Sequence, residues 1–219
     1  MSTSLILYSY WRSSAAYRVR IALNLKGLDY EVRPVHLVNN GGEQHADDYR
    51  SLNPQALLPT LVDGNVVLTQ SLAIIEYLEE TWPDPALLPP DAASRAEVRA
   101  LALAVAADMA PLGNLRTLKE LGTRFAVNAD ARVDWTRHWI EVCFTALEAM
   151  LADTAGTYSF GDSPGLADTC LVPQVYNARR WNVSLAPFPR IERIADACNA
   201  LEAFQRAAPE GQVDYAPIP

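Results

Sequence analysis

Cysteine is scarce in this chain, with only Cys143, Cys170 and Cys198 among 219 residues. An odd number so widely spaced excludes a disulfide framework and matches no metal-ligand spacing, so no metal is expected. Each thiol falls in a stretch that reads as amphipathic helix, where a small buried apolar residue is the expected role. Basic residues are outnumbered, 18 Lys and Arg against 26 Asp and Glu, for a net charge of -8. That argues against a protein that holds nucleic acid through its phosphates, which takes clustered cations. A small anionic substrate stays open, because a few arginines can dominate one pocket. No apolar run approaches the ~20 residues of a membrane span. Met1 to Leu7 lacks the basic start and long apolar stretch of a signal peptide. These absences describe a protein of the reducing cytoplasm.

What is present is apolar residues in quantity, 50% of the chain, enough for a substantial core. Leu5 to Ser9 reads as a strand, Trp11 to Ala16 as a loop, and Tyr17 to Lys26 as a helix stopped by Gly27. Tyr30 to Leu37 reads as a second strand and Leu57 to Val62 as a third. Asp63-Gly64-Asn65 signals a hairpin into Val66 to Thr69. Ser71 opens a helix through Trp82. The order β-α-β then β-β-α predicts a thioredoxin-like α/β domain over residues 1–82. Prolines at 83, 85, 89 and 90 mark residues 83–91 as a linker. From 92 to 219 the pattern is all-α, with helices expected over 92–120, 133–152, 167–181 and 191–207.

Four local signals carry candidate chemistry. Ser13 and Ser14 stand between the first strand and the first helix, where unpaired backbone N–H groups and the helix dipole favour an anion such as a thiolate. A simple helix cap is the other reading, and from position alone the better one. Pro54 to Pro59 runs into a strand, and sequence alone favours a trans bond before Pro59. Gln70-Ser71 opens a helix, with Ser71 as its expected N-cap, suited to a carboxylate or simply structural. Gly161-Asp162 followed by Gly165-Leu166-Ala167-Asp168 reads as a capping box with Asp168 at the third helical position, a structural device. Arg179 and Arg180 near a helix end fit either a solvated surface or an anion site.

Three segments together resemble the zeta-class glutathione transferases, the maleylacetoacetate and maleylpyruvate isomerases. They are Tyr8-Ser9-Tyr10-Trp11-Arg12-Ser13-Ser14 with Arg18-Val19-Arg20-Ile21-Ala22-Leu23, then Gln70-Ser71-Leu72-Ala73-Ile74-Ile75-Glu76-Tyr77-Leu78-Glu79-Glu80, and Leu171-Val172-Pro173-Gln174-Val175. The similarity runs from Leu5 to about Ala207. It implies the cytosolic glutathione transferase fold, glutathione as cofactor, a homodimer, and a small dicarboxylate as substrate. It also implies roles. Ser13 would sit nearest the glutathione thiol with Ser14 beside it. Gln44, the backbone of Leu58 before a cis Pro59, Gln70 and Ser71 would hold the tripeptide. Arg12, Asn114, Arg116 and Arg180 would meet the substrate, Arg12 acting beside Ser13 and Ser14 in catalysis.

The chain departs from the family pattern at two places. Many members read Ser-Ser-Cys-Ser where this chain has Ser13-Ser14-Ala15-Ala16, which excludes chemistry on an enzyme cysteine at that loop. A glutamine common in animal members is replaced by Ala110. The implied reaction is cis–trans isomerisation of a maleyl-type β-diketo acid. The alternatives are a general transferase that conjugates or dehalogenates small electrophiles, and a binding protein with a decayed site.

Overall fold

The computed structural model describes residues 5–216; residues 1–4, part of the signal-peptide reading, and 217–219, the end of the helical-domain reading, lie outside them. The chain divides into two compact units, one of Met1–Leu87 with Ala200–Pro219 and one of Leu88–Asn199.

In the first unit, β1 (Leu5–Ser9), β2 (Tyr30–Pro34), β3 (Thr60–Asp63) and β4 (Val66–Thr69) form one sheet in the order β2-β1-β3-β4. β1 runs parallel to β2, while β3 is antiparallel to both β1 and β4. Leu7 lies opposite Val32 on one side and Leu61 on the other, which seats the centre of β1 in the sheet. α1 (Ser14–Leu25), α2 (Asp47–Leu52), α3 (Ser71–Thr81) and α9 (Glu202–Ala207) complete the unit. This is the thioredoxin-like arrangement. α1 is buried on every face from Ala16 to Leu23, because α3 and α9 both pack on it. Leu7, Leu61, Val19, Leu23, Ile74, Leu78 and Phe204 are fully buried there. Each contributes roughly 1.5–3 kcal/mol by leaving water.

The second unit is all-helical: α4 (Ala92–Leu103), a π-helical turn (Ala104–Met109), α5 (Leu115–Arg124), α6 (Ala129–Thr154), α7 (Leu166–Arg180) and α8 (Pro189–Asn199). α7 is its central helix, buried almost continuously from Leu166 to Val175. The expected capping box is present in half. Gly165 N–H donates to Asp168 Oδ2 at 2.8 Å, but a glycine has no side chain to return the bond. Asp168 also accepts from Ser159 N–H at 2.9 Å. Burial raises the Asp168 carboxyl, and these two donors work against that shift.

Several elements differ from expectation for identifiable reasons. The second strand stops at Pro34, whose ring nitrogen has no proton for a ladder bond. Two 3-10 turns and the six-residue α2 follow, where no element is expected. The stretch 92–120 is not one helix. It winds into the π turn, with Ala110 N–H reaching the Val105 carbonyl, and breaks at Pro111 before Asn114 caps α5. Leu201, in extended conformation, separates α8 from α9. Residues from 200 onward group with the first unit rather than with the helical one. There Arg20 Nε donates to the Ala207 carbonyl at 2.9 Å, and Asn24 Nδ2 to the Ala203 carbonyl at 2.8 Å. Among the described residues, no helix is long and apolar enough to cross a membrane.

Candidate functional site

Ser13 closes the turn that leaves β1. Its N–H donates to the Tyr10 carbonyl at 2.9 Å, and its Oγ caps α1 by accepting from Ala16 N–H at 3.2 Å. With one lone pair so used, the hydroxyl can still donate its proton to another acceptor. Arg12, Ser13 and Ser14 are half-buried, and the Arg12 guanidinium lies over the Trp11 ring, 5.6 Å from its centroid. The expected choice at Ser13 between cap and anion site is therefore not exclusive, since one oxygen lone pair caps and the proton is left to donate.

The Leu58–Pro59 bond is cis, against the trans bond that sequence alone favours. The loop before it is braced from one side. Tyr49 Oη and Asn53 Nδ2 both donate to the Leu57 carbonyl, at 2.6 and 2.8 Å, and Tyr49 Oη shares a 2.9 Å bond with Thr60 Oγ1. Burial raises the Tyr49 phenol, which keeps it a donor. Leu58 itself is buried, and among the described residues nothing hydrogen-bonds its backbone N–H or carbonyl. That peptide edge is available to an extended ligand backbone.

The start of α3 corrects one expectation: Ser71 is its first helical residue, and the N-cap is Gln70. Gln70 has φ 70 and ψ 118, a conformation costly for a residue with a Cβ. Its Nε2 donates to Gln55 Oε1 at 2.7 Å, tying this turn to the 53–59 loop. Ser71 is buried, and its Oγ accepts from Arg18 Nη1 at 3.3 Å. A hydroxyl that accepts from a cation has its own proton free for an anion. Gln44, on the 3-10 turn Glu43–His45, is 7% exposed, and its Oε1 has no partner although its Nε2 meets His45 Nε2 at 3.1 Å. Such an orphaned buried acceptor is costly unless a ligand donor completes it.

Asn114, Arg116 and Arg180 lie in the second unit and are exposed. Asn114 Oδ1 accepts from Arg116 N–H at 3.1 Å, so it caps α5. Arg180 ends α7, its guanidinium stacked over Trp181 at 4.8 Å from the ring centroid. Stacking holds the planar fork in one orientation.

Residues 7–86 match the model of the glutathione S-transferase N-terminal domain. A probable maleylacetoacetate isomerase of Vibrio cholerae is 54% identical over 96% of this chain and 98% of its own length. The holo structure of a maleylpyruvate isomerase, a bacterial glutathione transferase of the zeta class, superposes with a TM-score of 0.93 at 50% identity, over 96% of this chain and all of that one. A maleylacetoacetate isomerase of Anaeromyxobacter dehalogenans, solved with dicarboxyethyl glutathione and citrate in its active site, gives 0.87 at 44% identity over 99% of each chain. The chain belongs to the zeta-class glutathione transferases, the family of the maleylacetoacetate and maleylpyruvate isomerases.

All three cysteines lie buried on helices of the second unit, none in a disulfide, and burial pushes the Cys143 thiol up to about 12. None belongs to the loop that carries Ser13, where Ala15 and Ala16 follow Ser14. One residue of this zeta-class chain escapes sequence reasoning: Arg20, fully buried in α1, with four hydrogen bonds to other segments. Burial lowers its guanidinium to about 10, with Tyr30, Tyr17 and Asp214 opposing the shift. Apart from its place in the family-like segment Arg18 to Leu23, its sequence signal is a cation set between the apolar Val19 and Ile21.

Proposed function

We propose that the protein is a glutathione-dependent cis–trans isomerase of a maleyl-type β-diketo acid, maleylacetoacetate or maleylpyruvate. The observation that carries this reading is the 54% identity to a probable maleylacetoacetate isomerase across essentially the whole of both chains. The residues present fit glutathione: the open peptide edge of Leu58, the orphaned Gln44 Oε1, the Ser71 hydroxyl with a proton to give, and the Ser13 hydroxyl at the start of α1. A cis double bond rotates only when its π-bond is broken, and bound glutathione supplies the thiolate that adds to the conjugated alkene and leaves again.

The chain's own residues hold and orient. Ser13, with Ser14 beside it, donates to the sulfur, and the α1 N-terminus adds partial positive charge, both of which keep the thiol ionised. Gln44, Leu58, Pro59, Gln70 and Ser71 fix the tripeptide, Ser71 donating to its carboxylate end while Arg18 holds the hydroxyl in place. Arg12, Arg116 and Arg180, with Asn114, grip the substrate carboxylates and stabilise the negative charge that develops on its oxygen. The purified protein should therefore convert the cis acid to the trans acid only when glutathione is present. Conjugation of an aryl halide without any isomerisation would instead make it a general transferase.

Arg180→Ala is expected to lower kcat/KM for the diacid about 10-fold or more, because a stacked guanidinium forms a bidentate pair without first being ordered. The loss with a neutral aryl halide should be smaller. Equal losses, measured by steady-state kinetics on both substrates, would leave Arg180 as a solvated surface residue. The resemblance to the class also supports a cytoplasmic homodimer. Sedimentation should give twice the 24.1 kDa of one chain, and a concentration-independent mass of 24.1 kDa would refute the dimer.

A further inference from the structure

The turn from Tyr10 to Ser13 is held by parts of the chain far away in sequence. Asp214, near the end of the described residues, accepts from Trp11 N–H through Oδ2 at 2.9 Å. The carbonyl of Trp11 accepts from Arg20 Nη2 at 3.2 Å. Arg20 Nη1 reaches Ser9 Oγ at 3.0 Å and the Tyr10 carbonyl at 3.4 Å. Its Nε donates to the Ala207 carbonyl at 2.9 Å, which ties the segment leading to Asp214 into the same cluster. Tyr215 then sets its ring edge-to-face against Trp11, with centroids 5.0 Å apart.

We propose that Asp214 and Arg20 are positioning residues for the reaction, gripping the polypeptide at Trp11 from both sides so that Arg12 and Ser13 meet sulfur and substrate in one fixed geometry. A residue pinned at both its N–H and its carbonyl cannot rock, because each peptide unit is rigid and only its φ and ψ remain to absorb motion. Ser13 N–H closes on the Tyr10 carbonyl that Arg20 also holds, so the clamp is transmitted to the serine within one turn. Arg12 rests on the clamped Trp11 ring, so its guanidinium inherits the same reference frame. Arg20 is fully buried and can reach four acceptors only as a guanidinium, whereas Asp214 is half-buried and reached only through the C-terminal segment. The C-terminal segment is in this sense part of the active-site loop. The inference rests on the glutathione-dependent reading given above.

Asp214 is the place to test it, since a change there leaves the core of the unit untouched. In Asp214→Ala, kcat for the maleyl substrate should fall about 5- to 10-fold while KM for glutathione stays within about twofold, as expected when a reacting group is misplaced rather than a ligand lost. The titration of enzyme-bound glutathione, followed by thiolate absorbance, should shift toward higher pH, and the melting temperature should hold. Asp214→Asn should recover most of kcat, because its amide oxygen can still accept the Trp11 N–H. An alanine variant with unchanged kcat and thiol titration would overturn the positioning role, as would an asparagine variant as impaired as alanine. If the unaltered protein binds no glutathione by calorimetry, the functional reading falls first and the clamp with it. Glutathione binding together with an unaffected Asp214→Ala removes the clamp alone.

Discussion

Ser13→Ala is expected to reduce kcat/KM for isomerisation about 100-fold, the scale at which removing one preorganised donor to a developing anion is felt. The hydroxyl has two tasks in one position. Its oxygen caps α1 by accepting from Ala16 N–H at 3.2 Å, and its proton is free to donate to the sulfur. Losing the cap should cost about 1 kcal/mol of stability, too little to unfold the domain. Losing the donor raises the thiol pKa and empties the site of thiolate at neutral pH. The two effects separate by experiment, with melting reporting the cap and pH-dependent turnover the donor. Activity in the variant should recover in part at higher pH, where glutathione ionises unaided. A loss below threefold across the whole pH range would assign the thiol activation elsewhere, with Ser14 the next candidate.

The largest effect on stability is expected at Lys26. Its ammonium is fully buried beside Glu79, Nζ to Oε2 2.8 Å, and it also donates to the carbonyls of Trp82 and Pro85 at 2.6 and 3.0 Å. Glu79 Oε2 accepts in addition from Leu87 N–H at 2.9 Å. One buried pair thus ties together the end of α1, the last turn of α3 and the segment from Trp82 to Leu87 that follows it. Lys26→Ala takes the ammonium away from the buried Glu79 carboxylate and from two carbonyls, which should cost about 3–5 kcal/mol. Replacing both partners, Lys26→Met with Glu79→Leu, should cost markedly less, because no uncompensated charge remains. Denaturant unfolding of the three proteins measures both differences. A single variant within about 1 kcal/mol of the original would mean that solvent reaches Glu79 and the pair contributes little.

The cap at Ser13 was legible because it needs only local chemistry, a short apolar strand followed by two hydroxyl residues, but α1 itself begins at Ser14, three residues before the expected Tyr17, because the small residues Ala15 and Ala16 show no helical spacing of their own. The β3–β4 hairpin was legible for the same reason, with Gly64 taking the positive φ that its two-residue loop requires. Ser71 and Gln70 were placed one residue off, because capping by an unusual backbone conformation at Gln70 leaves no mark in residue type. α2 was not legible, since six residues carry less than two turns of periodicity. Nor was the placement of residues beyond 200. Amphipathic spacing states that Phe204 and Ala207 are buried but not on which core, and only the bonds from Arg20 and Asn24 decide that. The clamp on Trp11 was hidden most completely, because it joins residues 203 positions apart through a backbone N–H.

Isomerisation by this protein is expected to require glutathione's thiol, kept ionised by the chain. This requirement is tested most directly by following conversion of the cis maleyl acid with the purified protein alone, with glutathione, and with S-methylglutathione, whose sulfur cannot ionise. Conversion to the trans acid is expected only with glutathione, which is not consumed, and S-methylglutathione should inhibit competitively. Conversion by the protein alone, or conversion supported by S-methylglutathione, would contradict that requirement.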